Sequence, residues 1–342
     1  MDNEINILKN QIKDNKLQKL YVFFGEEKFL QELYIKKITE LVPDAGFPEF
    51  NRFIIDGAEA SLTEIADAVD TFPMMTDRKL IIITDSGAFS AKAPAEVKDY
   101  YTSLFERLTD DTVLVIRENE TDKKSSVDKR STVYKSAKKH GLTVEFKNLS
   151  ETDLVAWVIR RAHKAGKNIS RQNAELLVSI SEKGLGNIEN EIIKLASYCD
   201  EEITEPIIKK LASKSLEAKI FDLSDHIMTK NADKAIALLE SLKSDTSATP
   251  IGMLALLYSS FEKVLKTQLL MKSNMSKKDI GASLSIPFWT VDKYIAAAKG
   301  FSHNELVDLL ILVPELDLSI KRGEIDQWRA VEKLIFKGIG GN

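Results

Sequence analysis

The apolar run Leu20 to Phe24 ends in Gly25-Glu26-Glu27-Lys28-Phe29-Leu30, where a strand would hand a phosphate to a glycine-rich loop. Such a loop needs glycine amides around the phosphate, then Lys and a Ser or Thr hydroxyl for phosphate and magnesium. Here Glu26 and Glu27 bring negative charge to the expected anion site, and Phe29 stands where the hydroxyl belongs. The segment argues against nucleotide hydrolysis and implies no nucleotide cofactor. Asp85 follows the apolar run Leu80 to Ile83 without a second carboxylate beside it, and reads as a solvated turn rather than a metal ligand. Ser86-Gly87 and Ser179-Ile180-Ser181 lack the Gly-x-Ser-x-Gly pattern of a nucleophile elbow. His140, His163, His226 and His303 are too dispersed for a local metal motif, and the lone Cys199 lacks a neighbouring cation to activate it. The expectation is no catalytic residue, no metal and no cofactor.

Two other groups of residues have binding chemistry. Phe72-Pro73-Met74-Met75 lies between an amphipathic helix and the next strand, and is followed by Thr76-Asp77-Arg78-Lys79. Methionine adapts its shape to an apolar pocket, so an exposed pair here would be a docking tip; a buried pair would be turn support. Asp128-Lys129-Arg130, Tyr134-Lys135 and Lys138-Lys139 form a basic helical stretch with one aromatic. It reads either as a solvated helix with Asp128 near its amino end or as a phosphate-backbone contact. A zinc finger, coiled-coil basic region or recognition-helix signature is missing.

These groups must be held by elements that the apolar periodicity outlines. Strands are predicted at Leu20 to Phe24, Phe50 to Ile55, Leu80 to Ile83, Thr112 to Ile116 and Leu142 to Phe146. Helical segments fall between them, among them Leu62 to Phe72, Ala95 to Leu108 and Lys129 to Lys139. Alternation of this kind predicts a mostly parallel α/β domain. From about Asn148 the period becomes helical throughout: Leu149 to Gly166, Gln172 to Lys183, Leu185 to Tyr198 and Glu205 to Leu211. It continues over Ile220 to Met228, Ala232 to Leu242, Ile251 to Met271, Lys277 to Ser283, Trp289 to Ala298, Asn304 to Lys321 and Asp326 to Phe336. Ser150 with Asp153 is a capping-box variant, and Pro314 is expected to kink or split its helix. The chain therefore divides as 1–147 α/β, 148–213 helical and 214–342 helical.

In this order, the segments resemble the delta subunit of the bacterial DNA polymerase III clamp loader. The resemblance rests on Tyr21 to Leu30, Phe72 to Leu80, Asp128-Lys129-Arg130 with Tyr134-Lys135, Trp157, Asn190 to Tyr198, Ile220-Phe221-Asp222-Leu223 and Asp317 to Gly323. It implies an AAA+-like first domain without ATPase competence, a small lid-like helical domain and a helical collar that mediates oligomerisation. It further implies partners: the ring-shaped sliding clamp, the loader's ATPase subunits, a delta-prime subunit, and primed DNA within the complex. The family's paired apolar clamp tip, commonly Leu-Phe, maps onto Met74 and Met75. Phe72, Arg78 and Lys79 complete the candidate clamp-binding set, Phe72 with Leu80 chiefly supporting the local fold and Arg78 or Lys79 lining its polar edge. Lys129, Arg130, Lys135, Lys138 and Lys139 are candidate nucleic-acid contacts.

Composition sets the outer bounds. Among 342 residues, 48 Lys and Arg meet 52 Asp and Glu, for a net charge of −4, which excludes a broadly cationic body while leaving room for a local basic track. The amino terminus carries no continuous apolar signal core and no stretch approaches a membrane span, so a soluble cytoplasmic protein is expected. Two other functions stay open on the residues alone: a stand-alone nucleic-acid adaptor, and a noncanonical nucleotide phosphohydrolase. A general scaffold without clamp contact is a third.

Overall fold

The computed structural model describes residues 3–119, 126–286 and 290–340. The chain forms two compact units, one of residues 1–157 with 184–186 and the other of 158–183 with 187–342.

The first unit opens with helix α1 (Asn3–Lys13), an element beyond the expected set, and strand β1 (Leu20–Phe24). There follow α2 (Lys28–Leu41), the single turn α3 (Pro48–Asn51), β2 (Arg52–Asp56), α4 (Leu62–Asp70) and β3 (Lys79–Thr84). Next come α5 (Ala95–Arg107), β4 (Thr112–Arg117), α6 (Thr132–His140) and β5 (Leu142–Glu145). The five strands make one parallel sheet in the order β2-β3-β4-β1-β5, an order that periodicity alone does not set.

Alternation along β1 explains the layers. Leu20, Val22 and Phe24 pack with Ile65 and Val69 of α4, Tyr101 and Phe105 of α5, and Val133 and Ala137 of α6. Tyr21 and Phe23 face the other side, where the Tyr21 hydroxyl donates to Gln11 of α1 at 3.0 Å and Phe23 meets Phe146 edge-on. Burying a side chain of this size contributes about 1.5–3 kcal/mol, so doubly covered strands dominate the unit's stability. Several expected boundaries shift: α4 ends at Asp70 rather than Phe72, and β5 at Glu145 rather than Phe146. Phe50 belongs to α3 rather than β2, because Pro48 pre-sets the first helical turn. Lys129 and Arg130 precede α6, whose cap is Ser131 accepting the Tyr134 amide hydrogen at 3.2 Å.

Helix α7 (Glu151–Lys164) carries the chain past the boundary between the units, and its expected cap is present, Ser150 accepting the Asp153 amide hydrogen at 3.2 Å. Beyond it lie β6 (Asn168–Ile169), α8 (Arg171–Ile180), α9 (Leu185–Tyr198), β7 (Glu202–Ile203) and α10 (Glu205–Leu211). The short pair β6 and β7 is parallel and buries Ile169 and Ile203. The remaining helices are α11 (Leu216–Met228), α12 (Ala232–Lys243), α13 (Pro250–Lys272), α14 (Lys277–Leu284), α15 (Val291–Gly300), α16 (His303–Lys321) and α17 (Gln327–Gly338). One apolar core draws on α11, α12, α13, α15, α16 and α17, all between residues 220 and 335. Pro314 does not split α16, which runs unbroken through it. The expected start of α15 at Trp289 lies outside the described residues.

Candidate functional site

Helix α4 begins with a full capping box, Ser61 accepting the Glu64 amide hydrogen and the Glu64 carboxylate accepting that of Ser61. Its buried face, Ile65, Ala68 and Val69, fixes the helix on the sheet. Pro73 then prevents the helix from continuing, and the chain crosses residues 71–78 to β3.

Three apolar side chains on this crossing point to solvent: Phe72 is 82% exposed, Met75 78% and Met74 40%. Met75 adopts φ +56°, the left-handed region that disfavours a side chain. Phe72, expected as local support, therefore stands with the exposed group, while Leu80 is buried in β3 as expected.

The crossing is tied down by polar groups that reach backbone atoms. Asn51, at the end of α3 and 1% exposed, accepts the Met74 amide hydrogen at 2.7 Å through Oδ1 and donates from Nδ2 to the Met74 carbonyl at 2.8 Å. Its second Nδ2 hydrogen goes to the Asp44 carbonyl at 2.9 Å. Arg78 donates to the carbonyls of Asp110 at 2.8 Å and Leu17 at 3.0 Å, so it is a strut across the unit. Lys79 departs from its expected place at the polar edge: it is 1% exposed, and its ammonium donates to the carbonyls of Val69 and Thr71. These carbonyls close the end of α4, where the chain's own ladder leaves acceptors unpaired. Burial lowers the Lys79 pKa, and the carboxylates of Asp111 and Asp70 oppose that shift.

The groups of the segment after β1 are committed to partners within the chain. Gly25 takes φ +109°, and a Cβ there would sit 2.5 Å from the Phe146 carbonyl oxygen. Glu27 caps α2 by accepting the Phe29 amide hydrogen at 3.3 Å, and burial raises its pKa against that bond. Asn148 donates to Glu26 at 2.6 Å, and Phe29 packs edge-on against Trp157 with ring centres 6.0 Å apart.

Asp85 is not a solvated turn. At φ +55° its carboxylate accepts the Asn119 backbone N–H at 2.9 Å and side-chain N–H at 2.7 Å, joining the ends of β3 and β4. Beside it, Glu118 is 6% exposed and accepts the Ser86 hydroxyl hydrogen. Burial raises its pKa to about 7, with the Ser86 bond acting in the opposite sense. Sequence patterning missed Asn51 and Glu118, since their partners come from other elements. No grouping of three or more His, Cys, Asp or Glu suited to a metal occurs among the described residues, and Cys199 is buried.

The basic candidates separate. Lys129 pairs with Glu145 at 2.8 Å and lies over the Phe24 ring, whereas Arg130 contacts Asp128 at 3.5 Å and is otherwise exposed. Lys135, Lys138 and Lys139 share one exposed face of α6, opposite buried Val133 and Ala137, by the i, i+3, i+4 spacing.

Two family models match the chain: "DNA polymerase III, delta subunit" over residues 21–147 and "DNA polymerase III delta subunit, C-terminal domain" over 217–338. The chain is similar to the Bacillus subtilis DNA polymerase III subunit delta, 26% identical over 338 residues that span 97% of this chain and 96% of the relative. It is also 23% identical over 234 residues to a probable DNA polymerase III subunit delta of Aquifex aeolicus, covering 66% of this chain and 64% of that one. Among solved structures, the Bacillus subtilis DNA clamp loader delta protein matches 98% of this chain and 99% of its own, with TM-score 0.60 and 24% identity, a likeness in fold.

Proposed function

The chain belongs to the DNA polymerase III delta-subunit family, and on that premise we propose that it is the clamp-binding subunit of a bacterial replicative clamp loader. Its tip of Phe72, Met74 and Met75 docks into an apolar pocket of the sliding clamp and favours opening of the ring, so that partner ATPases load it on primed DNA. The observation that carries this reading is the exposure of Met75 and Phe72 on a crossing whose backbone is tied at Thr71 and Met74, next to a helix end tied at Val69. An apolar anchor held rigid before contact loses little entropy on docking. Methionine in place of a ring keeps apolar reach and changes pocket complementarity.

The proposed organisation is an AAA+-like clamp-binding domain, 1–147, a lid-like domain, 148–213, and a collar, 214–342. The apolar core that joins six helices between residues 220 and 335 supports the last. The Glu27 cap on α2 supports a chain that leaves ATP hydrolysis to the loader's ATPase subunits, which it would join together with a delta-prime subunit. No described helix is long and apolar enough to cross a membrane; a cytoplasmic site of action follows from the proposed role.

A second reading, a stand-alone nucleic-acid adaptor, draws on the Lys135, Lys138 and Lys139 face. The two are separated by mixing purified full-length protein with the sliding clamp of the same organism and, separately, with primed DNA. A stoichiometric clamp complex supports the proposed role; tight DNA binding without clamp affinity would replace it with the adaptor.

A further inference from the structure

We propose that Asn51 is the positioning residue of the docking tip, an inference that rests on the tip reading above. Its amide is buried, and a buried amide left unpaired is costly, so its partners define its place. Two of those partners are the N–H and the C=O of Met74, at 2.7 and 2.8 Å; the third is the Asp44 carbonyl at 2.9 Å. The side chain thus pairs with Met74 as a neighbouring strand would. It fixes the two peptide planes that flank the Met74 Cα, one of which leads directly into Met75.

Met75 is held at φ +56°, a conformation that is unfavourable for a residue with a side chain and persists only where its surroundings impose it. No side chain of the crossing supplies that constraint at Met74; Asn51 does, from an element 23 residues away in sequence. With Asn51 removed, the Met74 peptide is free to turn, Met75 relaxes toward negative φ, and its side chain leaves the direction in which the tip presents it. The cost then appears on docking, because the partner must order a loop that arrives disordered.

The chemistry is specific to an amide. Asp at this position accepts the Met74 N–H but offers nothing to the two carbonyls, and Ala offers neither. The test uses full-length protein and the sliding clamp of the same organism, with clamp affinity measured for wild type, Asn51→Ala, Met74→Ala with Met75→Ala, and the three substitutions combined. Asn51→Ala is expected to weaken binding about tenfold, a loss of the size that two backbone hydrogen bonds can supply. It should also speed hydrogen exchange at the Met74 amide while leaving the amides of β1 and β4 protected. In the background lacking both methionine side chains, Asn51→Ala should cost nothing further, since it acts through them. Should Asn51→Ala not fold, Asn51→Asp carries the same comparison. Unchanged affinity for the folded Asn51 variant, or an equal loss with and without the methionines, overturns the positioning role. Unchanged affinity on removing both methionines overturns the tip itself, and Asn51's role with it.

Discussion

The Glu27 carboxylate accepts the Phe29 amide hydrogen at 3.3 Å, so the amino end of α2 already holds an anion supplied by the chain. A helix amino terminus is where a phosphate would otherwise bind. Glu27 is nearly buried, and its backbone N–H is also committed, donating to the Phe146 carbonyl at 2.9 Å. We therefore expect ATP turnover at background with saturating Mg-ATP, measured on protein free of partner ATPases. Turnover that stays with the chain through purification and disappears in Lys28→Ala would reverse this.

Lys79 tethers the end of α4 from inside. Replacing it by Met keeps the volume of the stem but leaves the Val69 and Thr71 carbonyls without their donor. A buried acceptor stripped of its partner costs about 1–3 kcal/mol, so Lys79→Met should lower the urea midpoint by a corresponding amount with the slope unchanged. An unaltered midpoint would show that these bonds contribute nothing net.

Glu118 gives the first unit a pH dependence of defined sign. Burial holds its folded pKa at about 7, above the 4.5 of a solvated glutamate. The folded chain therefore keeps a proton that the unfolded chain releases. The stability it contributes is complete below the lower value and is lost as pH rises through the upper one, by about 3 kcal/mol in all. Urea unfolding at pH 5 and pH 8 should show wild type losing more stability on the alkaline side than Glu118→Gln. Equal losses in the two proteins would remove Glu118 as the cause.

Much of the first unit was legible because its signals are local. Leu20 to Phe24 is an unbroken apolar run closed by a glycine that must take φ +109°, and the observed strand has the same ends. Phe50 misled, since an aromatic shortly before Phe53, Ile54 and Ile55 suggests a strand, yet Pro48 starts a helical turn there. The site was legible only in part. Met74 and Met75 stand out by type and by their place after Pro73, but Phe72 and Lys79 exchange the roles that polarity assigns them, the ring going to solvent and the ammonium inside. Asn51 and Lys79 bind backbone carbonyls, which every residue has, so no spacing in the sequence marks their partners. Arg78 likewise spans to Leu17, 61 positions away.

The collar proposal predicts where assembly should fail. Ile311 and Leu318 of α16 and Tyr258 of α13 are exposed, although these helices supply the core of their unit. Ile311→Asp with Leu318→Asp should prevent co-elution with the ATPase and delta-prime subunits while clamp binding persists. Normal assembly of the folded variant would place the subunit contact elsewhere.

The most direct test is an equilibrium titration of the sliding clamp with full-length wild type and with Met74→Ala, Met75→Ala. Removing an anchor of this kind costs more than about 2 kcal/mol, a loss of roughly thirtyfold or more in affinity. The two side chains need not contribute additively if they share one pocket. The account predicts that loss with circular dichroism and subunit assembly near wild type; near-normal affinity and clamp loading by the folded double variant would contradict it.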